Sequence, residues 1–285
     1  MKNASDAPWH AAKQRIGREL QELTMLWQVG TEKRKEANAR GILKWSDPRC
    51  AADALGVKGT TTGPVLQAML DVNQSLDGTR VRPPRIANCG SIWRNAVGLE
   101  FYVDFETMSD LDDDFSGIPE KGGQPLIFMI GCGHYERSQW VWECFTTERL
   151  SEECEAEIID KWLSHMAYVK NRLDPDGDPP RVIHWSFAER STLDTAFNSA
   201  MARHPDMGWQ APQWFDFLTQ VIKAEPVVVR GAFGFGLKEI ASAMHSHGCV
   251  QTRWESGPTD GLGAMVAAWW CAAEASARGC SLAEV

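Results

Sequence analysis

Two acidic residues, Asp104 and Glu106, stand two positions apart in the largely apolar segment LEFYVDFE at residues 99–106. The apolar pattern predicts a buried strand, and residues two apart on a strand point to the same face of a sheet. Two carboxylates side by side repel each other unless a cation lies between them. The pair therefore indicates a divalent-metal site; a D-x-E pair on a solvated strand face is the alternative.

Three further acids stand where elements of the chain begin or end. Glu189 follows the predicted strand RVIHWS at residues 181–186, near the edge of the sheet where α/β proteins bind ligands. Asp260 opens the last predicted helix, and Asp216 lies in the apolar segment WFDFL, where a buried acid needs a partner. Helix N-termini also favour such acids, so capping is the alternative for Glu189 and Asp260. Asp216 is a possible additional acid of the site.

The elements that must position these acids begin near residue 97. Apolar patterning predicts a hairpin of two strands at 125–135 and 139–147, a strand at 181–186, and a series of helices. The predicted helices are 150–170, 187–203, 213–223, 236–247 and 258–278. Residues 1–96 are predicted to be helical and to end near the basic, Pro-rich connector RVRPPR at 80–85. The predicted fold class is α/β, with a mixed sheet flanked by helices at 97–285 and a small helical N-terminal region at 1–96.

Charge divides the chain in a similar way. Residues 1–99 carry 15 Lys and Arg against 9 Asp and Glu, whereas residues 100–285 carry 14 against 29, so the formal net charge of −9 hides a basic front segment. This segment predicts contact with a phosphate backbone, and solvated faces of no special function are the alternative. No stretch reaches the roughly 18 apolar residues of a membrane helix. The 8 cysteines form no CxxC pair. We therefore expect a cytoplasmic protein with reduced thiols and no membrane partner.

The order of these features resembles the RNase H-like DEDD superfamily of 3′–5′ exonucleases, the DnaQ-type proofreading fold. The shared order is a D-x-E pair on the first strand, a hairpin, a helix, a strand that ends in an acid-bearing turn, and a last helix opened by Asp. The segments HWSFAERSTL, WFDFL, GAFGFGLKEIASAM and DGLGAMVAA are most similar to predicted RNase H-like domains found next to, or fused to, RecB-type nucleases. The resemblance extends over residues 97–278.

The resemblance implies an RNase H-like domain at 97–285 and a metal-dependent nuclease activity. The implied reaction is 3′–5′ exonucleolytic hydrolysis of phosphodiester bonds in DNA or RNA with two Mg²⁺ or Mn²⁺ ions. The family's four metal-binding carboxylates, which are also catalytic, carry over to Asp104, Glu106, Glu189 and Asp260. At the position of Glu189 the family usually has Asp. The family's His or Tyr general base, four or five residues before the last Asp, is replaced by Glu255 and Ser256.

Other residues are candidates for the remaining roles. We expect His184, His245 or His247 to substitute for the general base, and His184 is the catalytic candidate. A reaction that needs no side-chain base is the alternative. Lys238 is expected either to contact a substrate phosphate or to be an exposed helix lysine. Trp185 is expected either to stack on a terminal base or to be buried at the sheet edge. The expected partners are nucleic acid, in particular a single-stranded end, and a partner nuclease. The alternative function is a catalytically inactive RNase H-like domain that binds either of them.

Overall fold

The structure of the protein is a computed structural model that describes residues 9–87, 93, 98–108, 126–185, 193–252 and 261–285. The described α-helices are α1 (His10–Leu20), α2 (Thr31–Ala39), α3 (Thr62–Gln74), α4 (Glu152–Leu173), α5 (Leu193–Arg203), α6 (Leu237–Ser246) and α7 (Gly261–Arg278). The described strands are β1 (Val81–Arg82), β2 (Glu100–Met108), β3 (Leu126–Glu136), β4 (Gln139–Thr146), β5 (Arg181–His184), β6 (Gln213–Asp216) and β7 (Val228–Val229). Over the described residues, no helix has the length and apolar character needed to cross a membrane.

The chain divides into two compact units. The first unit consists of Met1–Gly90 and Val221–Glu255, and the second consists of Ser91–Gln220 and Ser256–Val285. The first unit is therefore not continuous in sequence. The predicted division into residues 1–96 and 97–285 puts the segment at 221–255 in the second part, whereas in the structure this segment belongs to the first unit.

Strand pairing and side-chain contacts explain why that segment belongs to the first unit. Strand β7 pairs antiparallel with β1, which lies inside the predicted connector. The Arg230 guanidinium donates to the carbonyl oxygens of Val72 and Ser75 at the end of α3, at 3.1 and 2.6 Å. Because the paired residues Val81 and Val229 are 148 residues apart in sequence, local patterning gives no sign of their pairing.

The second unit contains a five-stranded mixed sheet in the order β4-β3-β2-β5-β6 within the described residues. The hairpin strands β3 and β4 run antiparallel to their neighbours, whereas β5 and β6 continue the sheet on the other side of β2 in parallel pairs. Strand β2, which carries the acidic pair, is the middle strand. This confirms the predicted fold class, an α/β mixed sheet flanked by helices with a small helical N-terminal region, and the arrangement is consistent with an RNase H-like fold.

One predicted helix, at 213–223, is wrong. The segment at 213–223 begins as strand β6 and continues as a π-helical turn at Leu218–Ile222. Aromatic residues favour strands because they pack well on a pleated surface. The Trp214 ring packs between two helices and contacts Trp162 of α4 and Phe197 of α5, with centroid distances of 6.2 and 5.8 Å. This tertiary packing decides the conformation of the segment.

The core face of the sheet is the face that carries Phe101, Val103 and Phe105 of β2. These three side chains are buried in one cluster with residues of α4 and α5. Trp162 of α4 meets the Phe105 ring edge-on at 5.4 Å. Burial in this cluster raises the pKa of the Cys132 thiol to about 12. Helices α4 and α5 therefore cover the face of β2 opposite to Asp104 and Glu106.

A buried carboxylate, Glu155 in the first turn of α4, ties the two helices to the sheet. Its side chain is 0% exposed. It accepts hydrogen bonds from the backbone N–H of Ile127 in β3 at 2.6 Å and from the Arg203 guanidinium at 2.6 and 3.0 Å. The His204 ring lies 2.9 Å from the same carboxylate. A buried charge is tolerated only when it is paired and hydrogen-bonded in this way.

An ion pair joins the far ends of β3 and α4. The Glu136 carboxylate accepts from the guanidinium of Arg172 and lies 3.1 Å from the His134 ring. The hydrogen bond from Arg172, followed by the contact with His134, lowers the pKa of Glu136 to about 2. Glu136 therefore remains ionised well below the pH at which an ordinary glutamate is protonated.

Candidate active site

Asp104 and Glu106 lie on the same face of the middle strand, together with Tyr102. We call this the carboxylate face. The alternating burial along β2 supports the assignment, because the residues between these positions are buried in the core face. Asp104 is exposed and Glu106 is half-buried. The predicted strand and the shared orientation of the two acids are thus both present.

A β-bulge follows the acidic pair directly. Glu106 pairs with Met129, but the next residue, Thr107, pairs with Ile127, so that Phe128 is an extra residue in β3. Bulges bend a strand and re-aim its side chains, and they occur often beside active sites. Strand β3, the neighbour of the strand that carries the pair, is therefore bent directly beside Glu106.

Helix α7 packs beside Glu106 on the carboxylate face. Met108, two residues after Glu106 on the same side of β2, is buried in a cluster with Met265 and Ala268 of α7. The indole N–H of Trp269 donates to the Met108 sulfur. Met265 lies only four residues after the first residue of α7. The contact therefore holds the beginning of this helix at the end of strand β2.

Aromatic side chains from β4 lie on the other side of the pair. A Cβ atom added to Gly131, the cross-strand neighbour of Asp104, would fall 2.2 Å from the Trp142 ring. A Cβ atom on Gly133, the neighbour of Tyr102, would fall 2.1 Å from the Trp140 ring. Both indole rings therefore reach across β3 toward β2. Asp104 thus has an aromatic ring above its neighbouring strand, while α7 covers the strand beyond Glu106.

The described part of the proposed metal site fits a hard divalent cation. Asp104 and Glu106 supply carboxylate oxygens, which Mg²⁺ and Mn²⁺ prefer, and the exposed Asp104 is accessible to an ion from solvent. A group of three or more His, Cys, Asp or Glu side chains suited to hold a metal ion does not occur among the described residues. The predicted ligands Glu189 and Asp260 lie outside those residues, as do Glu255 and Ser256.

His184 is not brought together with the acidic pair. In the parallel pairing of β2 and β5, Tyr102 lies opposite Ile183, so the next residue, His184, points to the core face. There it is buried, and its ring meets Trp214 edge-on at 5.5 Å. The structure thus places His184, predicted as a substitute for the general base, on the face opposite to Asp104, because the alternation of β5 turns its side chain to the core.

Asp216 is a capping residue of the turn that follows β6. Its carboxylate accepts from the backbone N–H groups of Leu218 and Thr219 at 3.0 and 3.3 Å, and from the Thr219 hydroxyl. It lies opposite His184 in the pairing of β5 and β6, so it also belongs to the core face. These bonds give the half-buried acid partners within its own turn, and the structure does not join Asp216 to Asp104.

The two predicted substrate-binding residues lie in different units. Trp185, directly after β5 in the second unit, is half-buried and stacks on Phe217 with a centroid distance of 6.0 Å and an angle of 27°. Lys238 is exposed on the first turn of α6, in the first unit. His245 and His247 belong to that unit as well, where the His247 ring contacts the Arg230 carbonyl oxygen at 2.9 Å.

Residues that sequence reasoning missed are the two tryptophans of β4. Their signal is present in the sequence as Trp-x-Trp at 140–142 facing Gly-x-Gly at 131–133 across the hairpin. In a hairpin that pairs Glu136 with Gln139, this spacing sets each tryptophan on the same face as the two glycines.

Comparison of the chain with protein-family models, with curated proteins and with solved structures gives no match.

Proposed function

We propose that the protein is a metal-dependent nuclease that hydrolyses phosphodiester bonds of DNA or RNA, as a 3′–5′ exonuclease that uses two Mg²⁺ or Mn²⁺ ions. The observation that carries the proposal is the position of Asp104 and Glu106. They lie side by side on one face of the middle strand of a mixed sheet, with Asp104 exposed to solvent. Two carboxylates on one strand face repel each other when both are ionised, and a bound divalent cation offsets that repulsion.

In this proposal the chain's own residues bind and orient the metal ions. Asp104 and Glu106 hold the ions at the middle of the sheet, and Glu189 and Asp260 complete the ligand set. Bound Mg²⁺ or Mn²⁺ supplies charge stabilisation and an activated water for phosphodiester hydrolysis. The packing of Met265 and Ala268 against Met108 supports this, because it fixes the beginning of α7 at the strand that carries the pair.

The activity assay uses 5′-labelled single-stranded DNA and RNA with Mg²⁺ or Mn²⁺. We expect a metal-dependent ladder of products that shortens from the 3′ end. Asp104→Asn and Glu106→Gln should each slow the reaction at least about 100-fold, because a bound ion contributes several kcal/mol to the transition state. Glu143→Gln is the matched control: it removes a carboxylate exposed on the neighbouring part of the sheet, opposite Cys132 of the core face. Equal cleavage by the wild type and the Asp104 variant would refute the proposal.

A second proposal concerns the basic first unit, which we infer holds the nucleic-acid backbone. Lys44 and Lys58 are exposed in this unit. Each lysine that neutralises a phosphate of a single strand adds about 0.7 to the slope of log affinity against log salt. Lys44→Gln with Lys58→Gln should therefore lower that slope by up to about 1.4. Lys161→Gln, on the exposed side of α4 in the second unit, is the control. An unchanged slope in the double variant would contradict this role.

The second candidate function is a catalytically inactive domain that binds nucleic acid or a partner nuclease. It is favoured by the burial of His184 on the core face, which removes one candidate for the general base. Nucleic-acid binding without cleavage, in the presence of either metal, would support this candidate and refute the nuclease.

A further inference from the structure

Four aromatic residues of the second unit lie on the carboxylate face, on neighbouring strands. They are Tyr102, Tyr135, Trp140 and Trp142. The Trp140 ring is the centre of the surface, with centroids 5.1 Å from Tyr135 and 5.5 Å from Tyr102. We call these four residues the aromatic surface.

The aromatic surface is open to solvent although its members are large. Tyr135 is 57% exposed, Trp140 is 47% exposed and Trp142 is 52% exposed. On the core face of the same sheet, by contrast, the rings of Phe101 and Phe105 are buried. Exposing several large aromatic rings on one face of a sheet is costly in water, so such a group of rings indicates a binding site.

Two glycines allow the tryptophans to lie across the sheet. The space above Gly133 holds the Trp140 ring, and the space above Gly131 holds the Trp142 ring. The pattern repeats along the strands: Trp140 reaches over Gly133 to Tyr102, and Trp142 is placed in the same way over Gly131, the neighbour of Asp104. The aromatic surface therefore extends from the turn of the hairpin to the first acid of the candidate active site.

We propose that the aromatic surface is a base-stacking subsite that holds unpaired nucleotides beside Asp104. This inference rests on the proposed nuclease function. Trp and Tyr rings stack on the faces of bases, and they do so without regard to sequence. Base faces are accessible in a single strand and are covered by stacking inside a duplex, so the subsite selects unpaired nucleic acid. A second copy of the chain is the other occupant that the test must separate.

Binding is measured in EDTA, by fluorescence anisotropy of a labelled single-stranded oligothymidine and of a blunt duplex of equal length. Trp140→Ala and Trp142→Ala should each weaken single-strand binding roughly 5- to 100-fold, the range expected for loss of one stacked base. Trp142→Phe should restore part of it, and duplex binding should change little. Trp270→Ala removes a tryptophan that is 61% exposed on α7 and serves as the matched control.

A second variant keeps both tryptophans. Gly133→Ala introduces a methyl group into the space of the Trp140 ring, which must move aside. Because this ring is exposed, the chain should still fold, as near-ultraviolet circular dichroism and thermal unfolding will show. Weaker single-strand binding by this folded variant supports the proposal, since the tryptophan is displaced and not removed.

The outcomes separate the subsite from the nuclease. Asp104→Asn should abolish hydrolysis and retain single-strand binding in EDTA. Hydrolysis by the wild type, with equal single-strand affinity in all variants, would overturn the subsite alone. Tryptophan-dependent binding without any hydrolysis would support the subsite and refute the nuclease. If the tryptophan variants change only the oligomeric state, measured by light scattering, the surface is covered by a second copy and the subsite is overturned.

Discussion

Replacing Glu155 should destabilise the second unit more than any exposed change in the same helix. Glu155→Ala removes the carboxylate that the Arg203 guanidinium, which is 10% exposed, contacts in the core, and it removes the acceptor of the Ile127 N–H. Removing one partner of a buried ion pair costs about 3–5 kcal/mol. Glu155→Gln keeps the oxygen that accepts from both Ile127 and Arg203 Nη2, but it loses the negative charge and the acceptor for Arg203 Nε. Its cost should therefore be smaller, about 1–3 kcal/mol.

A matched control separates this cost from the helix dipole. Glu152 lies in the same first turn of α4 and is exposed. Glu152→Ala loses a similar interaction with the helix N-terminus, which is worth about 0.3–1 kcal/mol. The difference between Glu155→Ala and Glu152→Ala therefore measures the buried network.

The assay is urea unfolding followed by tryptophan fluorescence and far-ultraviolet circular dichroism. The chain has two compact units, so we expect the change to shift the transition of the second unit and to leave that of the first unchanged. Replacing both Glu155 and Arg203 by Met should recover much of the loss, because no buried charge is then left unpaired. Equal destabilisation by Glu155→Ala and Glu152→Ala would refute the structural role of the network.

Two further predictions test the described surroundings of the site. Glu136→Gln should reduce the free energy of unfolding at pH 6. The difference in this free energy from the wild type should shrink as the pH falls from about 4.5 toward the lowered pKa of about 2, because the wild-type carboxylate is then protonated and uncharged as well. A difference in urea midpoint that is the same at every pH would contradict this. Thiol labelling at pH 8 should modify the exposed Cys144 rapidly and the buried Cys132, with a pKa of about 12, only after denaturation; modification of Cys132 in the native protein, read by peptide mass spectrometry, would show that the core face is open.

Patterning along the chain is sufficient to predict most of the sheet. The hairpin predicted at 125–135 and 139–147 is observed at Leu126–Glu136 and Gln139–Thr146, because alternation, β-branched residues and a short turn agree there. The sequence pattern predicts a helix where strand β6 is observed. The prediction fails because the conformation of this segment depends on the packing of Trp214 against α4 and α5. The membership of 221–255 in the first unit depends on the long-range pairing of β1 with β7.

The candidate site was predictable only where residues close together in sequence determine it. The shared face of Asp104 and Glu106 follows from their spacing alone. The position of His184 requires the register between β5 and β2, which fixes the direction of each side chain and is not readable from β5 alone. The aromatic surface requires the register of the hairpin together with the missing side chains of Gly131 and Gly133.

The most direct test of the central claim is a crystal structure of the protein soaked in Mn²⁺, with an anomalous difference map. We predict two anomalous peaks at the carboxylate face, with Asp104 and Glu106 as ligands of the ions and with Glu189 and Asp260 completing the set. The Asp104→Asn variant should lose at least one peak. A map without a peak beside Asp104 and Glu106 at saturating Mn²⁺ would contradict the assignment of this face as a metal-dependent nuclease site.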